Sequence, residues 1–220
     1  MENKRHVSVG SDKADLKKKV HPPLLDKKSE KFKILVVDDK KENIMAAKQF
    51  FDSLGKFSVD YVTNLEDAKK KLESGNYVLG IFDLDLPVKE GGDVAERAGL
   101  ELGKIAREKE NMFYVYYSGG FFHRTPRTKV FTSEKDVLEN KADVLIEDTY
   151  SKDSPQGWKE LYEKLVNAGK PTPEKREKMK ESLKRYYRVT GLRPPALPKI
   201  PDKGALPYII DIIAEIADEL

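Results

Sequence analysis

The stretch FKILVVDDKKENIMAAKQFFDSLG, residues 32–55, decides the fold class. It begins with a short apolar run that ends in two aspartates, and it continues with apolar residues at helical spacing until Gly55, which is suited to end a helix. A buried strand followed by an amphipathic helix is the repeating unit of a parallel sheet that is covered by helices on both faces. The predicted fold class is therefore α/β, with a doubly wound parallel sheet.

The same alternation continues along the chain and predicts five strands. They are residues 33–38, 57–62, 77–82, 112–117 and 142–146. Asn64 is suited to cap a second helix that Gly75 ends, and further helices are predicted over 92–110 and 156–166. The segment 121–140, between the last two strands, contains a proline and only a short helical stretch, so its helix is poorly marked.

Composition changes divide the chain into three parts. Residues 1–31 are rich in lysine and show no sustained periodicity, which predicts a flexible basic arm. Residues 32–168 form the predicted sheet domain. Residues 169–220 form a C-terminal extension with a basic helix over 174–188, a proline-rich linker and an amphipathic helix over 207–220. The apolar stripe of that last helix needs a hydrophobic partner, which we expect to be the sheet domain or a second copy of the chain. The stripe consists of Tyr208, Ile209, Ile212, Ile213 and Ile216.

Composition also limits the chemistry and the location. The chain has no cysteine, so it contains no disulfide, thiolate zinc site or catalytic thiol. Its net charge of +3 comes from 41 basic and 38 acidic residues, a balance that does not by itself indicate nucleic acid. No secretory signal and no run of roughly 18 apolar residues is present, which predicts a cytoplasmic protein without a membrane span.

Carboxylates follow three of the predicted strands. Asp38 and Asp39 end the first, Asp83 and Asp85 end the third, and the pair at 147–148 ends the fifth. Ligands of doubly wound sheets bind outside the carboxyl ends of the strands, so these side chains are expected to converge there. Two charges about 4 Å apart repel by roughly 4 kcal/mol at an effective dielectric constant near 20. A cation or a bound proton is therefore required, and oxygen ligands with open positions suit Mg²⁺.

These motifs resemble the receiver domains of two-component response regulators, the CheY-like domains. KILVVDD with the following helix is similar to their first strand and helix, and IFDLDLP is similar to their phosphoacceptor strand. The resemblance covers residues 32–168 and implies a flavodoxin-like sheet. It implies that Asp83 is the phosphorylated residue and that Asp38 and Asp39 hold Mg²⁺ with it. Asp85 would contribute its backbone carbonyl to the metal, and Ser118 would be the switch hydroxyl.

The second half of the chain departs from the family pattern. Receiver domains place a lysine after the fifth strand, whereas the alignment of KADVLIED puts Asp148 there, beside Glu147. Leu145 stands where the family has an aromatic switch residue. The long interval between Ser118 and Asp148 contains, near its start, a cluster of four basic residues, one of which could supply the missing positive charge. They are His123, Arg124, Arg127 and Lys129.

Three functions follow from these motifs. The leading hypothesis is a signalling module rather than a turnover enzyme: either a phosphorelay acceptor on Asp83, with a histidine kinase or phosphotransfer protein as partner, or a degenerate interaction domain. Homodimerisation is a further expectation. The second hypothesis is a haloacid-dehalogenase-like phosphohydrolase with Asp83 as nucleophile and Asp85 as general acid, although Pro87 departs from that motif. The third is a nucleic-acid-binding regulator that uses the basic helix, which is the least favoured because no helix-turn-helix pattern is present.

Overall fold

A computed structural model describes residues 31–118, 145–147, 152–167, 171–200 and 203–220. The predicted basic arm, apart from Lys31, lies outside the described residues. So do the segment 121–140, which contains the four basic loop residues, and Asp148.

Five parallel strands form the central sheet. In chain order the described strands are Phe32–Val37 (β1), Phe57–Val62 (β2), Leu79–Phe82 (β3), Leu86–Pro87 (β4), Val94–Ala95 (β5), Phe113–Ser118 (β6) and Leu145–Glu147 (β7). The sheet has the order β2-β1-β3-β6-β7, in which the chain winds first to one side of β1 and then to the other. The predicted doubly wound α/β fold is confirmed, and the strand order reverses between β1 and β3.

Within the described ranges, six α-helices surround or extend this sheet. They are Lys41–Leu54 (α1), Leu65–Ser74 (α2), Leu100–Glu108 (α3), Pro155–Asn167 (α4), Pro173–Thr190 (α5) and Leu206–Ile216 (α6). Local signals set the ends of the first two helices as predicted. Gly55 follows α1 in the left-handed region with φ 68°. The Asn64 side chain accepts a 3.0 Å hydrogen bond from the backbone N–H of Asp67 at the start of α2.

The start of the predicted third helix is wrong. Instead of a helix from residue 92, β4 and β5 form a short antiparallel hairpin, and α3 begins only at Leu100. The hairpin turn uses Gly91 at φ 72°, and the backbone N–H of Gly92 donates to the carbonyl of Lys89 at 3.0 Å. A glycine pair at this point favours a turn over helix initiation, because glycine adopts positive φ without steric cost.

Strand side chains alternate between two cores on the two faces of the sheet. In β1, Ile34 and Val36 face one core, while Leu35 and Val37 face the other. The first core contains buried residues of α1, α4, α5 and α6, and the second contains those of α2 and α3. The C-terminal extension is thus packed into the first core.

The apolar stripe of the last helix lies against the sheet domain, which confirms that alternative of the prediction. The four isoleucines of the stripe are buried and Tyr208 is partly buried against the same core. Leu206, Pro207 and Ile210 of this helix are buried as well. Asp211 lies among three partners on other elements: its carboxylate is 2.6 Å from Lys56 Nζ, 3.3 Å from the Tyr162 hydroxyl and 3.5 Å from Arg176 Nη2. The extension is therefore held by both apolar contacts and ion pairs. No helix among the described residues is long and apolar enough to cross a bilayer.

Candidate functional site

Two aspartates are brought together by the pairing of β1 with β3. Val37 is in register with Phe82, and the backbone N–H of Asp83 donates to the carbonyl of Val37 at 2.8 Å. Asp38 and Asp83 therefore leave the sheet side by side at its carboxyl edge. One carboxylate oxygen from each of Asp38, Asp39 and Asp83 lies within 4.8 Å of the others. The predicted convergence of these three side chains is observed.

Lys152 supplies a positive charge to this acidic pocket. Its Nζ donates to Asp38 Oδ2 at 2.6 Å, to Asp83 Oδ2 at 2.9 Å and to the carbonyl of Tyr117 at 2.8 Å. All three donors of the ammonium are thus used. The prediction that the lysine after the fifth strand is missing is wrong, because this lysine comes five residues after Glu147 rather than directly after the strand.

Contacts around α4 fix the position of Lys152. The indole N–H of the buried Trp158 donates to the carbonyl of Lys152 at 2.7 Å. Ser154 caps α4 through its hydroxyl, which accepts from the backbone N–H of Gln156 at 3.2 Å, and Pro155 occupies the first helical position. The Ser154-Pro155 pair is a helix-start signal and marks the end of the connection between β7 and α4. The lysine could therefore have been looked for at every position of this connection, and not at Asp148 alone.

Asp38 is held by more contacts than its neighbours. Its Oδ1 accepts from the backbone N–H of Lys40 at 3.0 Å and from the Asn43 side-chain amide at 2.9 Å. Asn43, which belongs to none of the motifs noted in the sequence, is buried on the first turn of α1. Because both oxygens of Asp38 are engaged, this side chain is fixed in orientation.

Burial and mutual repulsion shift the titration of the pocket. Burial raises the pKa of Asp38, a rise that Lys152 opposes and the charge of Asp83 increases. Burial also raises the pKa of Asp39, with a further contribution from the charge of Asp83. Burial alone would lower the pKa of Lys152, but the charges of Asp38 and Asp83 outweigh it and raise that pKa. Lys152 is therefore a fixed cation, while the carboxyls of Asp38 and Asp39 are under electrostatic strain.

The other predicted site residues within the described ranges are Asp85, Ser118 and Leu145. The Asp85 carboxylate is not part of the cluster of Asp38, Asp39 and Asp83. Its Oδ1 accepts from the backbone N–H of Arg97 at 2.9 Å. This arrangement leaves its backbone carbonyl as the group that the resemblance assigns to a metal. Ser118 ends β6 in register with Glu147 of β7, so its backbone lies at the same edge of the sheet. Leu145 begins β7.

Among the described residues, the pocket contains three carboxylates and one ammonium, which is an excess of negative charge. Oxygen donors within 4.8 Å of one another are the kind of ligand set that a small hard divalent cation takes. Asp39 suits this role best, because it is only half-buried and no described side chain donates to its carboxylate. The residues present therefore fit Mg²⁺.

Comparison with known proteins gives matches among solved structures alone. No model of a known protein family matches the chain, and no curated protein matches it. A CheY-like response regulator receiver domain protein from Methanospirillum hungatei JF-1 is 23% identical with a TM-score of 0.44, over 62% of this chain and 91% of that one. The response regulator domain of Thermotoga maritima CheB is 22% identical with a TM-score of 0.44, over 61% and 93%. The non-phosphorylated HemR receiver domain from Leptospira biflexa is 18% identical with a TM-score of 0.41, over 76% and 100%. These three solved structures are receiver domains. The fold of this chain is established by its own strand order and register.

Proposed function

We propose that the protein is a receiver-like signalling module that accepts a phosphoryl group on Asp83 with Mg²⁺ as cofactor. The observation that carries this proposal is the ammonium of Lys152, which lies between Asp38 and Asp83 beside the third carboxylate of the pocket. A phosphoryl group that joins Asp83 brings additional negative charge, and only a site with fixed cations tolerates it.

Asp83 is the better nucleophile of the two carboxylates that Lys152 contacts. Its side chain is 10% exposed, whereas that of Asp38 is 2% exposed. An Asp83 oxygen attacks the phosphorus of a phosphoryl donor; the new oxygen–phosphorus bond forms while the bond to the leaving group breaks with its electron pair. Lys152 stays protonated and stabilises the charge on the transferred group. Bound Mg²⁺ would supply further charge neutralisation, held by Asp38, Asp39, Asp83 and the backbone carbonyl of Asp85.

The presence of Lys152 favours an active acceptor over a degenerate domain. A degenerate domain would be expected to lack a lysine near the phosphoacceptor, whereas Lys152 Nζ lies 2.9 Å from Asp83 Oδ2. The partner implied by this chemistry is a protein phosphoryl donor, a histidine kinase or a phosphotransfer protein.

The two other hypotheses fit the described contacts less well. A dehalogenase-like phosphohydrolase needs Asp85 as a general acid, but that carboxylate is engaged by the backbone of Arg97. A nucleic-acid grip needs free cations on α5, yet several of them pair with acidic groups of the last helical segment. These pairs join Arg176 to Asp211 and Glu215, and Lys180 and Lys184 to Glu219.

The test is incubation of the full chain with Mg²⁺ and acetyl phosphate, followed by intact mass measurement. We expect one phosphoryl adduct that requires Mg²⁺ and is absent in Asp83→Asn, which keeps the shape of the side chain but is a far poorer nucleophile. Asp85→Asn is the matched control, because it makes the same change two residues away and should keep the adduct. An adduct that persists in Asp83→Asn, or none in the wild type, would contradict the proposal.

A further inference from the structure

A second concave site lies at the opposite edge of the sheet from the acidic pocket. It is a cavity of about 1020 Å³ that is lined by residues at the amino ends of strands, among them Lys33 of β1, Ser58 of β2 and Val78 just before β3. Sites for small molecules usually have volumes of about 300–1,000 Å³, so this cavity is large enough for an organic ligand. It lies too far along the strands to belong to the site of Asp83.

Two parts of the chain form the walls of this cleft. The sheet domain contributes the buried Tyr77 and Val78, and the C-terminal extension contributes Pro194, Leu197 and Leu220. The extension wall is tied to α5, since the Tyr187 hydroxyl donates to the carbonyl of Ala196 at 2.8 Å. Ligand sites are frequent where two such structural parts meet.

Cations outnumber carboxylates along the lining. The basic residues that line the cleft are Lys31, Lys33, Lys109 and Arg193. Glu110 is the acidic side chain among the lining residues, and it is 3.9 Å from Lys199 on the extension. Within the part of the chain that the structure describes, Lys31, Lys33 and Arg193 are exposed and form no ion pair. Lys33 interacts electrostatically with Asp60 without a direct ion pair, and the lining cations still outnumber the lining acidic side chains. Such an excess of positive charge attracts an anion.

We propose that this cleft binds a small organic anion. Its carboxylate, sulfonate or phosphate head group pairs with Lys33 on the sheet wall and with Arg193 on the extension wall, and its apolar body lies against Tyr77 and the prolines. The guanidinium of Arg193 can form two parallel hydrogen bonds with such a head group, which a lysine at this position could not do. A ligand that contacts both walls also holds the extension against the sheet domain, which gives the extension a role beyond covering the core.

Anilinonaphthalene sulfonate is a suitable probe, because it joins an aromatic body to one anionic group and becomes fluorescent when bound. We expect saturable one-to-one binding to the full chain that weakens at high salt and that decanoate displaces. The neutral analogue phenylnaphthylamine should bind more weakly. Equal binding of the charged and neutral probes would overturn the proposal, and so would a lack of saturation.

Four variants decide whether the probe binds in the cleft. Lys33→Gln and Arg193→Gln should each weaken binding by about tenfold, the usual effect of losing one charge-assisted contact. Ala196→Trp, which fills the cleft without a change of charge, should abolish binding, while Lys104→Gln on the exposed side of α3 should leave it unchanged. Melting temperatures verify that each variant is folded. If folded Arg193→Gln and Ala196→Trp both bound the probe with the affinity of the wild-type chain, the assignment to this cleft would be refuted. If the probe bound only after residues 1–30 were removed, the cleft would be a site for that N-terminal segment. This result would also refute the proposal of a small-molecule site.

Discussion

The ammonium of Lys152 neutralises two carboxylates that have little access to water. Removing one partner of such a buried group leaves an uncompensated charge, which typically costs about 3–5 kcal/mol. We expect Lys152→Met to lower the free energy of unfolding by about this amount in Mg²⁺-free buffer. Urea denaturation with and without Mg²⁺ measures the effect, and Mg²⁺ should restore part of the loss because it replaces the missing positive charge.

Lys159 provides the matched control for this substitution. It lies on α4, seven residues further on, and its side chain is 53% exposed with a distant surface partner. Lys159→Met should change the unfolding free energy by less than about 0.5 kcal/mol. Equal effects of the two methionine substitutions would mean that Lys152 does not stabilise the pocket.

Protons and Mg²⁺ compete for the same carboxylates. The pKa values of Asp38 and Asp39 are raised above the ordinary value of 3.8, so both groups take up protons at a higher pH than free aspartate does. In the absence of metal, this shift makes the unfolding free energy fall as the pH rises through the window above 3.8. Lys152, with its pKa raised above 10.5, keeps its charge throughout. Mg²⁺ affinity should therefore be lower near pH 5 than near pH 8, since bound protons must leave first.

Trp158 is the reporter for this measurement, because it is the chain's single tryptophan and its indole contacts the backbone of Lys152. Its fluorescence should change saturably with Mg²⁺. Asp39→Ala should weaken binding and flatten its pH dependence, because it removes one ligand that titrates. Unchanged affinity in Asp39→Ala, or tighter binding at the lower pH, would remove Asp39 from the metal site.

At the scale of elements, the loop after β3 positions the acceptor by close packing. A Cβ placed on Gly99 would lie 1.9 Å from the carbonyl oxygen of Asp83, a backbone atom that cannot move without the strand. Gly99→Ala should therefore lower the unfolding free energy by at least about 2 kcal/mol and reduce phosphoryl incorporation. Gly92→Ala is the control, since its Cβ would meet its nearest atom at 3.2 Å. Equal stability of the two variants would show that the loop moves freely.

The elements also show which features the sequence could predict. Helices α1 and α2 were predictable because a glycine, a capping asparagine and an apolar face are all local signals. The acidic trio was predictable because strand ends are local and parallel pairing brings them together. The β4–β5 hairpin and the position of Lys152, by contrast, depend on tertiary packing rather than on local signals. The predicted helix was extended back to residue 92 although Gly91 and Gly92 favour a turn. Lys152 reaches the pocket only through the docking of α4.

At the scale of the whole molecule, the C-terminal extension is part of the first core. Side chains of α6 lie in the same buried cluster as Phe51 of α1 and Trp158 of α4. Trp158 in turn contacts Lys152, so the packing that holds the extension also supports the wall of the acidic pocket. The basic helix α5, which the sequence offered for nucleic-acid binding, packs against this core through Leu183 and Tyr187.

Truncation after Lys203 tests this role of α6. The removed helix buries six large apolar side chains, each of which contributes roughly 1.5–3 kcal/mol when fully buried. The total of about 9–18 kcal/mol is an upper value, but it is as large as the whole stability of a typical domain, about 5–15 kcal/mol. We expect the truncated chain to lose cooperative thermal unfolding, measured by circular dichroism, rather than to show a small shift.

A milder substitution distinguishes loss of packing from loss of a chain segment. Ile213 is fully buried. Ile213→Ala should lower the free energy of unfolding by about 2–5 kcal/mol, because the smaller side chain leaves a cavity in the core. Val189, which is 77% exposed at the end of α5, is the control, and Val189→Ala should change the unfolding free energy by less than about 0.5 kcal/mol. If the chain truncated after Lys203 kept the melting temperature of the full chain, α6 would not stabilise the sheet domain, and its apolar face would have to serve a separate partner.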